Sequence, residues 1–263
     1  MKLKVIVVGW VILLGLGGLL PAGALAGEPP ATPVLRVYGP GGPSPPIKEA
    51  AKVFGAMKGV RVDVTAGPVA PWKDQAAKDA DVLFSGAEYM MTDYVQRDFP
   101  GLLDASTIRT LYLRPSAILV RTGNPKAIKG VKDLARPGLK LVVVQGTGQV
   151  AMWEDVVGRT GDVKLLDGVR RNIAASTSSS AEAKVLWKAE PSIDAILIWN
   201  IWYKADPNAA EMVETEPEHT IYRSCGVVLM KRAAQNKLAQ QFSEFLQSAQ
   251  ARPIFAKWGW IVK

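Results

Sequence analysis

Two glycine-rich turns, each set between an apolar run and a helical pattern, constrain this chain more than any other feature. The first is Tyr38-Gly-Pro-Gly-Gly-Pro43, which follows the apolar run Val34 to Tyr38 and precedes a helical pattern starting near Ile47. The second is Gln145-Gly-Thr-Gly-Gln149, which follows the apolar run Leu139 to Val144. Glycines in a strand-to-helix turn let backbone N–H groups come close to a ligand, and a helix N-terminus favours negative charge. Two such turns predict a cleft that captures a small anion.

Around these turns the chain alternates strand and helix. Ile47, Ala50, Ala51, Phe54 and Met57 share one face of a helix over 46–57. Val60, Val62 and Val64 alternate as in a strand with one buried face. A short helix over 72–78, a strand over 81–84 and a helix over 88–96 complete a β-α-β-α-β rhythm, which predicts a mostly parallel sheet. A second cluster has apolar strands at 117–121 and 139–144 and helices at 149–157 and 181–188. The serine-rich stretch Ser176 to Ser180 caps the second of these helices. Ile193 to Trp199 reads as a central strand buried on both faces. A last strand, 226–230, and a helix carrying Leu238, Phe242, Phe245, Leu246 and Ala249 have no third cluster to join. The simplest topology returns them to the first cluster.

The expected fold is therefore α/β and two-lobed, each lobe a mostly parallel sheet flanked by helices. Residues 27–116 and 223–263 form lobe 1, and 117–222 form lobe 2. The chain crosses between lobes twice, near Pro115 and near Arg223, as in a hinged clamp, and ligands favour such interlobe clefts.

The N-terminus has the pattern of a targeting segment. Lys2 and Lys4 precede an apolar and glycine stretch from Val5 to Leu20, and Ala24-Leu25-Ala26 supplies a small-x-small cleavage site. The stretch is shorter than the about 20 apolar residues a membrane span needs. A signal peptide over 1–26, cleaved after Ala26, and a periplasmic mature chain are expected. Cys225 is the only cysteine, so no intramolecular disulfide can form and packing must carry stability.

Charge and histidine count exclude other classes. The formal net charge is +8, with Lys2 and Lys4 of the leader contributing two, and a basic exported protein draws in anionic ligands. The basic residues form no run, and export argues against nucleic acid as a partner. His219 is the only histidine, in the polar stretch Glu216-Pro-Glu-His219, where it is expected to be solvated. Neither a Ser-His-Asp triad nor a Cys-His dyad has support. Glu154 and Asp155 are adjacent on a helix and so point apart, and no His/Cys cluster has metal-ligand spacing. No catalytic residue, metal or cofactor is expected.

YGPGGP at 38–43, GTG at 146–148 followed by WEDVVGRTGD at 153–162, and IDAILIWNIW at 193–202 resemble the accessory colonization factor (AcfC-like) family. That family belongs to the type II periplasmic solute-binding proteins, near the sulfate and molybdate binders. The pattern Leu113-Arg114, Arg121 to Pro125 and Gly130 to Leu134 is similar to the wider superfamily, as is the closing stretch Ile254-Phe255 with Trp258-Gly-Trp260. The resemblance covers most of residues 34–260. It implies capture of a small oxyanion, phosphorylated acid or carboxylate between two lobes, and delivery to an ABC-type membrane permease. It leaves a homodimer open. Carried onto this chain, it implies ligand contacts from Gly41 and Gly42, Ser85 and Gly86, Thr147 and Gly148, Ser178, Ser179 and Ser180, and Trp199. Arg114 and Arg223, at the two crossovers, would supply guanidinium groups. Trp72 is expected to wall the cleft. The competing reading is a surface adhesin on the same fold, which a flat exposed aromatic patch would favour over a cleft of converging donors.

Overall fold

The computed structural model describes residues 32–263 apart from Thr147. The expected signal peptide over 1–26 therefore lies outside the described residues. Strands β1 (Val34–Gly39), β2 (Arg61–Ala66) and β3 (Val82–Ser85) alternate with helices α1 (Ser44–Lys58), α2 (Lys73–Asp79) and α3 (Glu88–Asp93). A long strand β4 (Leu103–Val120) leads into β5 (Leu141–Val144), α4 (Met152–Val157), α5 (Val163–Asn172), β6 (Ile173–Thr177), α6 (Ser180–Ala189) and β7 (Ala195–Trp199). The chain ends with α7 (Ile201–Ala205), β8 (Glu211–Glu214), β9 (Tyr222–Met230), α8 (Lys237–Phe245) and α9 (Arg252–Lys257).

The strands form one path, β2-β1-β3-β9-β4-β7-β5-β6, with β8 alongside β4. β1 pairs in parallel with β2 and β3, and β5 in parallel with β6 and β7. Every antiparallel pairing between these strands involves β4 or β9. The sheet is thus two parallel groups joined by two antiparallel strands. β4 itself runs from one group to the other. Its Leu103–Pro115 portion pairs with β9, and Ser116–Val120 pairs with β7. The second passage precedes β9, where the Ile221 amide donates to Ser116 Oγ at 3.1 Å.

The N-terminal half of β4 is the largest departure from expectation, which placed a strand only at 117–121. Two register shifts, between Asp104 and Arg109 and between Thr110 and Tyr112, break the alternation that would have marked it. α5 and β6 were likewise not expected. α5 opens on its cap, Asp162, whose Oδ1 accepts from the Lys164 and Leu165 amides at 2.9 and 3.0 Å, and buries Leu165 and Val169 one turn apart. The helix expected at 149 begins at Met152, because Ala151 takes a left-handed φ of 58°. His219, expected to be solvated, is fully buried, with Nδ1 2.9 Å from Val156 O. The loop that carries it folds back against α4.

Burial explains why these elements sit where they do. β3, β5 and β7 are buried at every position, as strands covered on both faces must be. α1 buries Ile47, Ala50, Ala51 and Phe54. Phe54 meets Phe242 and Phe245 of α8 at 5.2 and 5.5 Å between ring centroids, so the C-terminal helix closes onto the first parallel group. Glu49 of α1 also accepts from Lys257 Nζ at 3.0 Å and Trp258 Nε1 at 2.7 Å. Arg232, just after β9, donates to the carbonyls of Ala77 and Ala80, satisfying the open end of α2.

Gly39 closes β1 against Phe84. A Cβ at Gly39 would lie 2.5 Å from Phe84 O and its ring, a distance that backbone must move to relieve. Gly39→Ala is expected to lower unfolding stability by about 1–3 kcal/mol in denaturant titration. Gly41→Ala, whose Cβ would have its nearest neighbour at 4.0 Å, is expected to leave stability unchanged. Equal stability of the two variants would contradict this packing.

Candidate functional site

The parallel strands of both groups end on a common cleft of about 90 Å³. Ligand sites in α/β folds form outside the carboxyl ends of such strands. Beyond β1, Pro40, Gly41 and Gly42 line it; beyond β2 and β3, Gly67 and Gly86 do. From the other group come Gln149, Ser179, Ser180, Trp199 and Trp202. Arg114 also lines it, on β4 one residue before the first passage between groups.

The turn glycines are there for space more than for backbone freedom. Neither Gly41 nor Gly42 has positive φ. A Cβ on Gly42 would stand 3.4 Å from Ile201 Cδ1, and one on Gly41 4.0 Å from Trp202 Cη2, so side chains there would fill the cleft. Their amides donate to no backbone acceptor among the described residues. α1 contributes less than its position suggests: Pro45 and Pro46 in its first turn have no N–H to offer, and the Ile47 amide is satisfied by Pro43 O at 3.3 Å.

α6 supplies the opposite wall. Ser179 is its N-cap, with Oγ accepting from the Glu182 amide at 3.2 Å. The Ser180 and Ala181 amides, in the first turn, donate to no backbone group among the described residues, and both residues line the cleft. Glu182 accepts from the Ser178 amide and hydroxyl at 2.8 Å each. These bonds hold its carboxyl below the usual range and fix the loop before the helix. Gln149 is buried; its Nε2 bonds Ser180 Oγ and its Oε1 has no donor.

Arg114 dominates the electrostatics. Its side chain is buried, at 2% exposure. Nη2 donates to Gly86 O at 2.7 Å and Nη1 to Ser224 O at 3.3 Å. The guanidinium lies over the rings of Trp199 and Trp260, at 4.8 and 4.9 Å from the centroids. Nε has no partner, and among the described residues no carboxylate pairs with it. Burial pulls the guanidinium pKa down from its usual value, but the high intrinsic basicity of arginine keeps it charged at neutral pH. A buried cation held by carbonyl dipoles and indole faces is stabilised only in part. The cleft is thus positive and lined with free donors. Among the described residues no group of His, Cys, Asp and Glu could hold a metal ion.

The expected contact residues divide clearly. Gly41, Gly42, Gly86, Arg114, Ser179, Ser180 and Trp199 converge on the cleft. Gly148 sits at its edge: a Cβ there would lie 3.3 Å from Gly86 O and 3.4 Å from Arg114 Nη2, and its carbonyl accepts from Trp199 Nε1 at 3.2 Å. Its φ of 76° also calls for glycine. Thr147 lies outside the described residues. Four expected residues stand elsewhere. Trp72 is buried and stacks on Phe99 at 6.2 Å, with only its Nε1 reaching the cleft-lining Gly67, at 3.2 Å from O. Ser85 is sealed within β3 opposite Gly226. Ser178 is held by Glu182. Arg223 forms an ion pair with Asp155 in a neighbouring depression. Gln149 and Trp202 were not expected to be contacts, although Gln149 directly follows the glycine turn and Trp202 follows Trp199 by about one helical turn.

This two-group sheet, with a donor-lined cleft at the strand ends, is the fold of the type II periplasmic binding proteins. The sequence profile of the bacterial extracellular solute-binding proteins matches residues 35–261, and the chain belongs to that family. The crystal structure of L-phospholactate-bound PEB3 is 36% identical, covers 86% of this chain and 98% of its own, and has a TM-score of 0.80. Peb3 from Campylobacter jejuni is 36% identical over the same shares, with a TM-score of 0.79. The periplasmic molybdate-binding protein of Azotobacter vinelandii shares the fold at 17% identity, covering 87% of this chain and 99% of its own, with a TM-score of 0.67. A search of the curated proteins finds no match.

The unpaired cation yields a two-part expectation. Replacing a buried, uncompensated charge by an apolar side chain of similar length removes a desolvation cost. Arg114→Met is expected to leave the ligand-free protein at least as stable as wild type in thermal unfolding. Any anion binding in the cleft is expected to weaken about thirtyfold or more in the same variant, since a buried charged hydrogen-bond donor contributes about 2–5 kcal/mol or more. A marked loss of ligand-free stability would assign Arg114 a structural role instead.

Proposed function

We propose that this protein is the periplasmic binding component of an ABC-type uptake system and captures a small organic anion, phosphorylated or carboxylic, in the cleft. The observation that carries the reading is Arg114: a buried guanidinium in the cleft wall that pairs with no carboxylate among the described residues. An anion would complete its coordination. Gly41, Gly42, Ser180 and Ala181 would add backbone donors from opposite walls, and Gln149 and Ser180 side-chain groups. Charge-assisted hydrogen bonds contribute about 1.5–3 kcal/mol each, so a few of them reach the about −8 kcal/mol of micromolar affinity.

The lining favours an organic acid over a bare oxyanion: Trp199 and Trp202 offer apolar walls to a carbon skeleton, and the volume of about 90 Å³ limits that skeleton to a small one. That a 36% identical protein has been solved with L-phospholactate bound supports the same ligand class here. Against the adhesin reading, Tyr222 is the single aromatic among the large apolar side chains exposed in the described residues, which offers no aromatic patch.

The mechanism is closure rather than turnover. In this reading residues 27–116 with 223–263 form one lobe and 117–222 the other, and they turn about the passages at Pro115–Ser116 and Ile221–Tyr222. A ligand touching both lobes shifts the population towards the closed form, which then docks on the permease. Two contacts would belong to that form: Gly148 against Gly86, and Asp155 with Arg223.

A thermal-shift panel of L-phospholactate, phosphoglycerate, citrate, phosphate, sulfate and molybdate tests this, on protein refolded to strip carried ligand. A ligand at 100 times its Kd adds about 2.7 kcal/mol to the folded state, so a rise in Tm of several degrees is expected for a phosphorylated or carboxylic acid. A flat panel, or equal shifts with Arg114→Met, would contradict the reading.

A further inference from the structure

A second groove shares no lining residue with the cleft. It has a volume of about 310 Å³ and lies against both passages between the two strand groups: Pro115 and Ser116 on one side, Tyr222 on the other. Arg114 and Trp199 line the cleft, and Pro115 and Asn200, each the next residue in the chain, line the groove.

Its chemistry is the inverse of the cleft. The charged residue in its wall is Glu214, exposed on β8, whose carboxylate forms no ion pair among the described residues. Buried Asn200 donates Nδ2 to Gly259 O at 2.7 Å, and its Oδ1 has no donor. Ser116 and Thr215 share a hydroxyl contact of 3.1 Å. Tyr222, 48% exposed, and Met212 supply apolar surface. A carboxylate, an orphaned amide oxygen and an open aromatic face together fit a cation on an apolar body.

We propose that this groove binds a small organic cation, a primary amine carried on an aliphatic or aromatic skeleton. The ammonium meets Glu214 and the skeleton lies on Tyr222. An occupant would contact both passages about which the two strand groups are joined, without touching the anion cleft.

The test is calorimetric titration of the exported protein with benzylamine, benzyl alcohol and benzoate. Benzylamine is expected to bind at least tenfold more tightly than benzyl alcohol, with benzoate silent at this site. Glu214→Gln, an exposed edge-strand change, is expected to weaken benzylamine at least tenfold, and Tyr222→Ala to weaken it as well. Arg114→Met is expected to leave the benzylamine isotherm unchanged, so that the cleft and the groove can each fail alone. Equal binding of amine and alcohol, no binding of benzylamine, or an unchanged isotherm in Glu214→Gln would overturn the proposal.

Discussion

A guanidinium sealed between two indole rings, with carbonyl oxygens but no carboxylate to hold it, sets the terms for the rest of this molecule. Moving a charge out of water costs several kcal/mol even after relaxation. Arg114 recovers part of that from Gly86 O, Ser224 O and the faces of Trp199 and Trp260. Two other well-bonded arginines show what a purely structural role looks like here. Arg232 closes the carbonyl end of α2, and Arg121 donates to Trp187, Glu190 and Ile193 carbonyls where α6 ends. Both therefore sit at helix C-termini, where the dipole favours a cation. Arg114 has no such helix end. It is more deeply buried than either and faces the cleft.

The fold around it follows from that placement. β4 carries Arg114 at the point where one strand group gives way to the other, and β9 runs beside it with Arg223 in register. The donors at β1, β3 and α6 arrive there because parallel strands must all end on the same side, and each is followed by a turn that leaves amides free. Packing far from the cleft, such as Phe54 against α8, keeps these ends in place. With no disulfide, the alignment of strand ends rests on that burial.

Much of this was legible in the sequence, and the failures have physical causes. The βαβ rhythm and the two glycine turns marked the parallel groups and the cleft between them, because period and turn chemistry are local signals. The first half of β4 was hidden because register shifts erase alternation. Arg114 could be picked out only through the resemblance, since a lone arginine in LYLRPS carries no signal of its own burial. Arg223 was selected by the same logic and instead pairs with Asp155, a partner 68 residues away that no spacing reveals. Trp72 and His219 went astray for one reason: no local pattern marks them as buried, and tertiary contacts with Phe99 and Val156 bury them. Gln149 and Trp202 became cleft residues through turns at Ala151 and after Trp199 that local pattern does not fix.

The most direct test of the central claim is the Arg114 Nε–H resonance in a proton–nitrogen correlation spectrum, assigned by its loss in Arg114→Met. That N–H has no acceptor in the structure, so a hydrogen bond to a bound anion should move it strongly. A large downfield shift of this one resonance is expected on saturation with L-phospholactate, with the Nε signals of Arg121 and Arg232 unmoved. An Arg114 signal that stays in place while the ligand demonstrably binds would contradict it.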